Sequence, residues 1–92
     1  MKAIWNDVVI AESDQTIKEG SSLYFPPNSV KQEYFERSET HTTDPQGEAS
    51  YYHIKVNGKV KLDAARYYPN PKAEGNKVRD YVTFDESITM KD

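Results

Sequence analysis

The chain of 92 residues has the length of one domain, and its 12 basic and 15 acidic side chains leave a net charge of −3. Leu, Ile, Val and Phe supply only 17 of the 92 residues, a fraction low enough that disorder has to be considered. The 12% of aromatic residues and the small net charge indicate instead a folded core that is rich in tyrosine. The chain has no Cys, no apolar stretch long enough to cross a membrane and no cluster of basic residues, so we expect a cytoplasmic single domain over residues 1–92 without disulfide bonds, thiolate zinc sites, membrane contact or nucleic-acid binding.

Two hairpins are predicted near the N-terminus. Residues 3–5 and 8–11 are β-prone and flank Asn6-Asp7, two residue types that tolerate the positive φ of a tight turn. A second hairpin is predicted within residues 16–25, with Gly20 at its bend. The two prolines that follow end it, because proline cannot donate to a strand ladder.

A short helix and a short strand are predicted next. Ser29 and Gln32 have the spacing of a capping box, which predicts a helix over residues 30–35. Residues 40–43 are β-prone, and the composition of residues 44–47 is typical of a turn.

The clearest hairpin is predicted around Asn57-Gly58, the strongest short turn signal in the chain. Residues 49–56 and 59–62 form its strands. Alternation places Ser50, Tyr52, Ile54 and Val56 on one face, and this face, with Val60 and Leu62, is predicted to be the core side.

The last third of the chain continues the same pattern. Asp63 is a candidate cap for a helical turn over residues 64–66, and a final hairpin is predicted from residues 81–84 and 87–90. These elements together predict a mainly β, compact antiparallel domain with one or two short helices.

Few residues offer metal or catalytic chemistry. His41 and Asp44 have a spacing that two metal ligands can take, with His53 as a third, but no helix fixes their geometry, so we expect no metal and no cofactor. A Ser–His–acid set remains open, since such sets assemble in space. His41 is the candidate general base.

Two adjacent tyrosine pairs, Tyr51-Tyr52 and Tyr67-Tyr68, are more informative. Each pair places one ring on each side of an extended chain. Two interpretations stay open: all four rings pack in the core and at sheet edges, or they form the walls of a concave small-molecule pocket.

Several strings in the chain resemble a known family, the domain of unknown function family 427 (DUF427). They are Met1-Lys2-Ala3-Ile4-Trp5-Asn6, Tyr24-Phe25-Pro26-Pro27, His41-Thr42-Thr43, Ala49-Ser50-Tyr51-Tyr52, and Asp63-Ala64-Ala65 through Tyr67-Tyr68-Pro69. The resemblance implies a domain of the β-tent type, related in shape to ligand-binding and zinc-bearing β-tents. The family has also been called nucleotidyltransferase-like, but this chain has no Gly-Ser motif followed by paired Asp residues.

The chain departs from the family pattern at positions that concern a site. Asp44 stands where the family usually has Cys, Arg66 stands where it has Trp, and Asp85 follows Phe84 where another Trp is usual. A further Trp of the family is missing between Pro45 and Gly47. Ring surface in any shared site therefore falls to the tyrosines.

We expect a small soluble domain, monomer or homodimer, that binds a small ligand in an aromatic and polar pocket. The expected site residues are His41 and Thr43 at the floor, Ser50, walls from Tyr51, Tyr52, Tyr67 and Tyr68, and Arg66 as the partner of an anionic group. Two alternatives stay open. One is an enzyme of unknown reaction with His41 as general base, and the other is an interaction module or homodimer formed through a sheet edge.

Overall fold

Nine strands in three antiparallel sheets make up most of the chain. The computed structural model describes the backbone of residues 1–92 and the side chains of residues 1–72 and 76–92. The strands are β1 (Lys2–Trp5), β2 (Val8–Glu12), β3 (Ile17–Glu19), β4 (Ser22–Tyr24), β5 (Phe35–Asp44), β6 (Gly47–Val56), β7 (Lys59–Tyr67), β8 (Val82–Phe84) and β9 (Thr89–Lys91). The predicted mainly β, antiparallel fold is confirmed.

Short 3-10 turns are the helical elements of the described chain, at Pro27–Ser29, Gln32–Tyr34 and Ala73–Val78. None of the helices in the described residues has the length and apolar character that crossing a membrane requires. The helix predicted over residues 30–35 is reduced to the second of these turns. Val30 instead forms an isolated antiparallel bridge with Ala11, and the Ser29 hydroxyl donates to the Pro26 carbonyl oxygen at 2.7 Å rather than capping a helix.

A four-stranded sheet in the order β5-β6-β7-β8 carries the tyrosine pairs. Asn57 and Gly58 join β6 to β7 with φ values of 51° and 81°, so the predicted hairpin is confirmed. The other two sheets have the orders β2-β1-β9 and β3-β4, and they contain the two predicted N-terminal hairpins. The last predicted hairpin is wrong, because β8 pairs with β7 while β9 pairs with β1.

The core face of the β6–β7 hairpin differs from the prediction. The two-residue turn sets Val56 opposite Lys59 and Lys55 opposite Val60, and opposed residues share a face. Val60 therefore lies on the side away from Val56, and Val60 and Leu62 are 47% and 68% exposed. Near the turn, the buried side chains of this hairpin are Ile54 and Val56 of β6, and β7 contributes buried residues only farther from the turn, at Ala64 and Ala65.

Two irregularities interrupt the register of the four-stranded sheet. The β5–β6 register shifts between Arg37 and His41, and the β6–β7 register shifts between Tyr52 and Ile54. Both β5 and β7 therefore have extra residues beside the same part of β6, next to Tyr52. Bulges of this kind increase local twist and redirect side chains.

Asp63 connects the two irregular segments. Its φ is +52°, and its carboxylate accepts hydrogen bonds from the Ser38 hydroxyl at 2.5 Å and the Thr40 hydroxyl at 2.7 Å. Its backbone N–H donates to His53 Nδ1 at 3.0 Å. The predicted cap of a helical turn over residues 64–66 is wrong, because these residues continue β7 and the Asp63 carboxylate bonds across the sheet instead.

Two hydrophobic clusters form the core. The larger one includes Ile10, Phe25, Ile54 and Val56, all at most 1% exposed. The smaller one contains Tyr24, Ala49, Tyr68 and Val78. Tyr24 and Tyr68 are among the largest fully buried side chains, but the other buried hydrophobic residues are Ala, Val, Ile and one Phe, so the predicted tyrosine-rich core holds for the smaller cluster and not for the larger one.

Candidate functional site

A cleft of about 260 Å³ opens on one face of the four-stranded sheet. Its lining combines ring, aliphatic, amide and charged side chains. The lining residues are Pro27, Val30, Gln32, Arg37, Tyr52, Tyr67, Asp80 and Val82. We call it the Tyr52–Tyr67 cleft.

Sheet register explains how these side chains meet. Arg37 lies opposite Tyr52, and Tyr67 lies opposite Val82. Opposed residues share a face, and the face recurs every second residue along a strand. The cleft is therefore built from two neighbouring cross-strand rows, one with Arg37 and Tyr52 and one with Tyr67 and Val82.

The two tyrosine rings form an aromatic wall. Their centroids are 4.7 Å apart with 22° between the planes, which is a stacked arrangement. The Phe35 and Tyr52 rings pack edge to face with their centroids 5.6 Å apart, and this contact restricts the position of the Tyr52 ring. Burial, followed by the neighbouring Tyr67 hydroxyl, raises the pKa of Tyr52, so its hydroxyl stays neutral and able to donate and accept hydrogen bonds.

A cation and an anion lie at the mouth of the cleft. Arg37 and Asp80 are both exposed, and both act electrostatically on the Tyr52 hydroxyl, where Arg37 lowers its pKa and Asp80 raises it. Asp80 has a φ of +63°, and its backbone N–H donates to the Tyr68 carbonyl oxygen at 3.1 Å. The cleft thus combines the surface of a stacked ring pair with charges of both signs.

Four of the residues expected in the site lie on this face of the sheet, in addition to Tyr52. Ser50 is opposite Tyr67, and His41 is opposite Ser50, with His41 Nδ1 3.2 Å from Ser50 Oγ. His41 and Thr43 are exposed on the outermost strand β5, so neither forms a floor, and neither lines the cleft. The physical reason is that an edge strand with nothing packed over it leaves these side chains in solvent.

The remaining three, Tyr51, Arg66 and Tyr68, lie on the opposite face because adjacent residues of a strand point to opposite sides. Tyr68 is buried, its hydroxyl donates to Asp44 Oδ2 at 2.5 Å and accepts from Arg66 Nε at 3.3 Å. Burial, followed by the hydrogen bond to Asp44, raises the pKa of Tyr68 to about 12. Arg66 and Asp44 are therefore tied together through Tyr68, away from the Tyr52–Tyr67 cleft.

Sequence reasoning missed the three polar lining residues, Gln32, Arg37 and Asp80, and also the apolar ones, Pro27, Val30 and Val82. Arg37 follows Phe35 at strand spacing, so extending β5 to include both would have placed it on the face of Tyr52. Asp80 carries no local signal, since its position depends on where the segment after β7 returns to the sheet. Among the described residues, no group of three or more His, Asp or Glu side chains is arranged to hold a metal ion.

Comparison with known proteins gives a family. A family model described as "Domain of unknown function (DUF427)" matches residues 1–91 of the chain. A search of curated proteins gave no match.

Proposed function

We propose a function for this chain, which belongs to the family Domain of unknown function (DUF427), from the chemistry of its cleft: it binds a small planar ligand that carries a carboxylate. The observation that carries the proposal is the stacked Tyr52–Tyr67 wall beside Arg37. Apolar and aromatic walls with a few polar groups are the usual form of small-molecule sites.

Each group of the cleft has a place in this proposal. A flat ring gains area and offset stacking on the tyrosine wall. The Arg37 guanidinium matches a carboxylate with two parallel N–H donors. Asp80 accepts from an N–H group of the ligand, and the neutral Tyr52 hydroxyl completes its polar edge. The cleft of about 260 Å³ suits a ligand of one ring with substituents.

The test is an NMR titration of the ¹⁵N-labelled protein with benzoate, and with benzamide as the uncharged match of the same shape. We expect benzoate to shift the amides of residues around Tyr52 and Tyr67. Because Arg37 is exposed, its ion pair with the carboxylate contributes at most about 1 kcal/mol, so benzamide and the Arg37→Gln variant should each bind about three- to fivefold more weakly.

Arg79→Gln is the control variant, because it removes the same charge at an exposed residue that does not line the cleft. It should bind benzoate like the parent protein. Equal shifts with benzoate and benzamide, or equal weakening in both arginine variants, would contradict the role of Arg37. Shifts confined to the opposite face of the sheet would place binding away from the cleft.

A second candidate function rests on the pair of Ser50 and His41. The 3.2 Å distance between Ser50 Oγ and His41 Nδ1 lets the imidazole accept the hydroxyl proton, which is the arrangement of a nucleophile and its general base. Labelling with a fluorophosphonate tests it, because this probe modifies activated serines. We expect an adduct on Ser50 that is lost in His41→Ala, and an unlabelled parent protein would refute an activated Ser50.

A further inference from the structure

We propose that the open end between β4 and β8 binds an extended peptide segment that carries a basic side chain. This cavity of about 520 Å³ lies within the roughly 300–1,000 Å³ of ligand sites. Its lining includes Leu23, Phe84, Asp85, Glu86, Ile88 and Met90, and we call it the β4–β8 slot. Within the described side chains it shares no lining residue with the Tyr52–Tyr67 cleft, so the two proposals can fail separately.

The slot begins where a strand ladder stops. Phe25 and Val82 exchange two backbone hydrogen bonds, each of 2.8 Å. In an antiparallel ladder the next pair to exchange bonds in this direction is Leu23 with Phe84. No backbone hydrogen bond joins Leu23 to Phe84 in the described chain, and the slot occupies the space between them.

Both strands turn free backbone groups toward this space. Successive residues of a strand direct their N–H and C=O groups to opposite edges. Leu23 precedes Phe25 by two residues and Phe84 follows Val82 by two, so both use the edges that face the slot. The other edge of β4 is paired with β3, and the other edge of β8 is paired with β7. Extended peptides bind such edges through main-chain hydrogen bonds.

The side chains of the slot indicate which peptide fits. Leu23, Ile88 and Met90 supply an apolar wall, and Ile88 is 4% exposed. Asp85 and Glu86 lie at the same cavity, whose lining contains no basic residue among the described side chains. Since side chains of an extended segment alternate in direction, an apolar residue next to Lys or Arg matches both features.

The test uses an acetylated and amidated pentapeptide of alternating valine and lysine. Matched controls are the valine–glutamate peptide and a valine–lysine peptide that is N-methylated on alternate residues. We expect the amides of Leu23 and Phe84 to shift downfield and to gain protection from hydrogen exchange. N-methylation should weaken binding at least about tenfold, because it removes main-chain donors.

Glu86→Gln tests the charge, and Glu48→Gln is its control, because Glu48 is exposed on β6 and does not line the slot. Glu86→Gln should weaken binding of the valine–lysine peptide about threefold, as for an exposed ion pair, while Glu48→Gln leaves it unchanged. Equal binding of the glutamate or N-methylated peptide, or shifts that avoid Leu23 and Phe84, would overturn the proposal. A concentration-dependent dimer that protects both amides without peptide would also overturn it, since a second copy would then be the occupant.

Discussion

Replacing Asp63 by Asn tests whether its carboxylate holds the two bulged strands together. The carboxylate accepts the Ser38 and Thr40 hydroxyls at 2.5 and 2.7 Å, from a residue with a φ of +52°. Asn tolerates left-handed backbone and has nearly the same shape as Asp. The substitution therefore removes the charge and one acceptor oxygen while it leaves the backbone preference in place.

The expected loss follows from these two hydrogen bonds. A hydrogen bond to a charged group contributes about 1.5–3 kcal/mol. The Asp63 side chain is 35% exposed, so solvent screening favours the low end, and the Asn amide oxygen keeps one bond. We expect the free energy of unfolding to fall by about 1.5–2 kcal/mol, which lowers the Tm of a domain of this size by about 6–15 °C.

The effect should depend on pH in one direction. The Ser38 hydrogen bond, followed by that of Thr40, lowers the pKa of Asp63 from its ordinary value of 3.8 against the opposing effect of burial. A lowered folded-state pKa gives stability that is present above the unfolded value and lost as the pH falls through the folded value. The difference between parent and Asp63→Asn should therefore shrink as the pH falls below 3.8.

Urea unfolding followed by circular dichroism, near pH 7 and near pH 3, measures both effects. Asp7→Asn is the control, because Asp7 is exposed with a φ of +63°, and no side-chain hydrogen bond of Asp7 occurs among the described residues. It should change stability by at most about 0.5 kcal/mol. An Asp63→Asn variant as stable as the parent near pH 7, or equally deficient at both pH values, would refute this account of the bulges.

Three further changes have defined outcomes. Tyr68→Phe should lower the free energy of unfolding by about 1–3 kcal/mol, because the hydrogen bond to Asp44 is lost. The Tyr68 hydroxyl makes the parent lose stability as the pH rises from 10 to about 12, and urea midpoints should show that this part of the pH dependence is absent from the variant. Gly47→Ala should destabilise by about 1–3 kcal/mol in the same assay, because φ is +130° and its Cβ would meet loop backbone atoms at 3.3 Å, and a parent-like midpoint would contradict this. Ile54→Ala should cost about 2–5 kcal/mol, whereas Leu62→Ala should stay within about 0.5 kcal/mol, and similar losses in both would contradict the observed register.

Local signals were sufficient where neighbouring residues decide the conformation. Asn6-Asp7 and Asn57-Gly58 adopt positive φ in two-residue turns because their side chains tolerate that backbone. The capping-box spacing of Ser29 and Gln32 was misleading, because Val30 gains a bridge to Ala11 on a distant strand. Tertiary pairing there outweighs a local preference.

The candidate site shows the same division. The sequence identifies the tyrosine pairs as residues that can contribute aromatic rings to a site. Alternation along a strand then places one ring of each pair on each side of the sheet. Which rings meet depends on register, and this register changes at the bulges in β5 and β7. Tyr52 and Tyr67 therefore stack together, while Tyr68 is buried on the other face with Asp44 and Arg66.

The mainly β fold, the tyrosine content and the DUF427 family can be predicted from the amino-acid sequence, because composition is a direct count and two-residue turns and family strings are properties of short stretches. Which charged groups join the tyrosines depends on long-range contacts in the folded chain. Arg37 and Asp80 come to one cleft from residues far apart in the chain, and Asp63 fixes the sheet through partners 25 and 23 residues away. Contacts at such separations depend on sheet register, because a shift of one residue moves every side chain of the strand to the other face of the sheet.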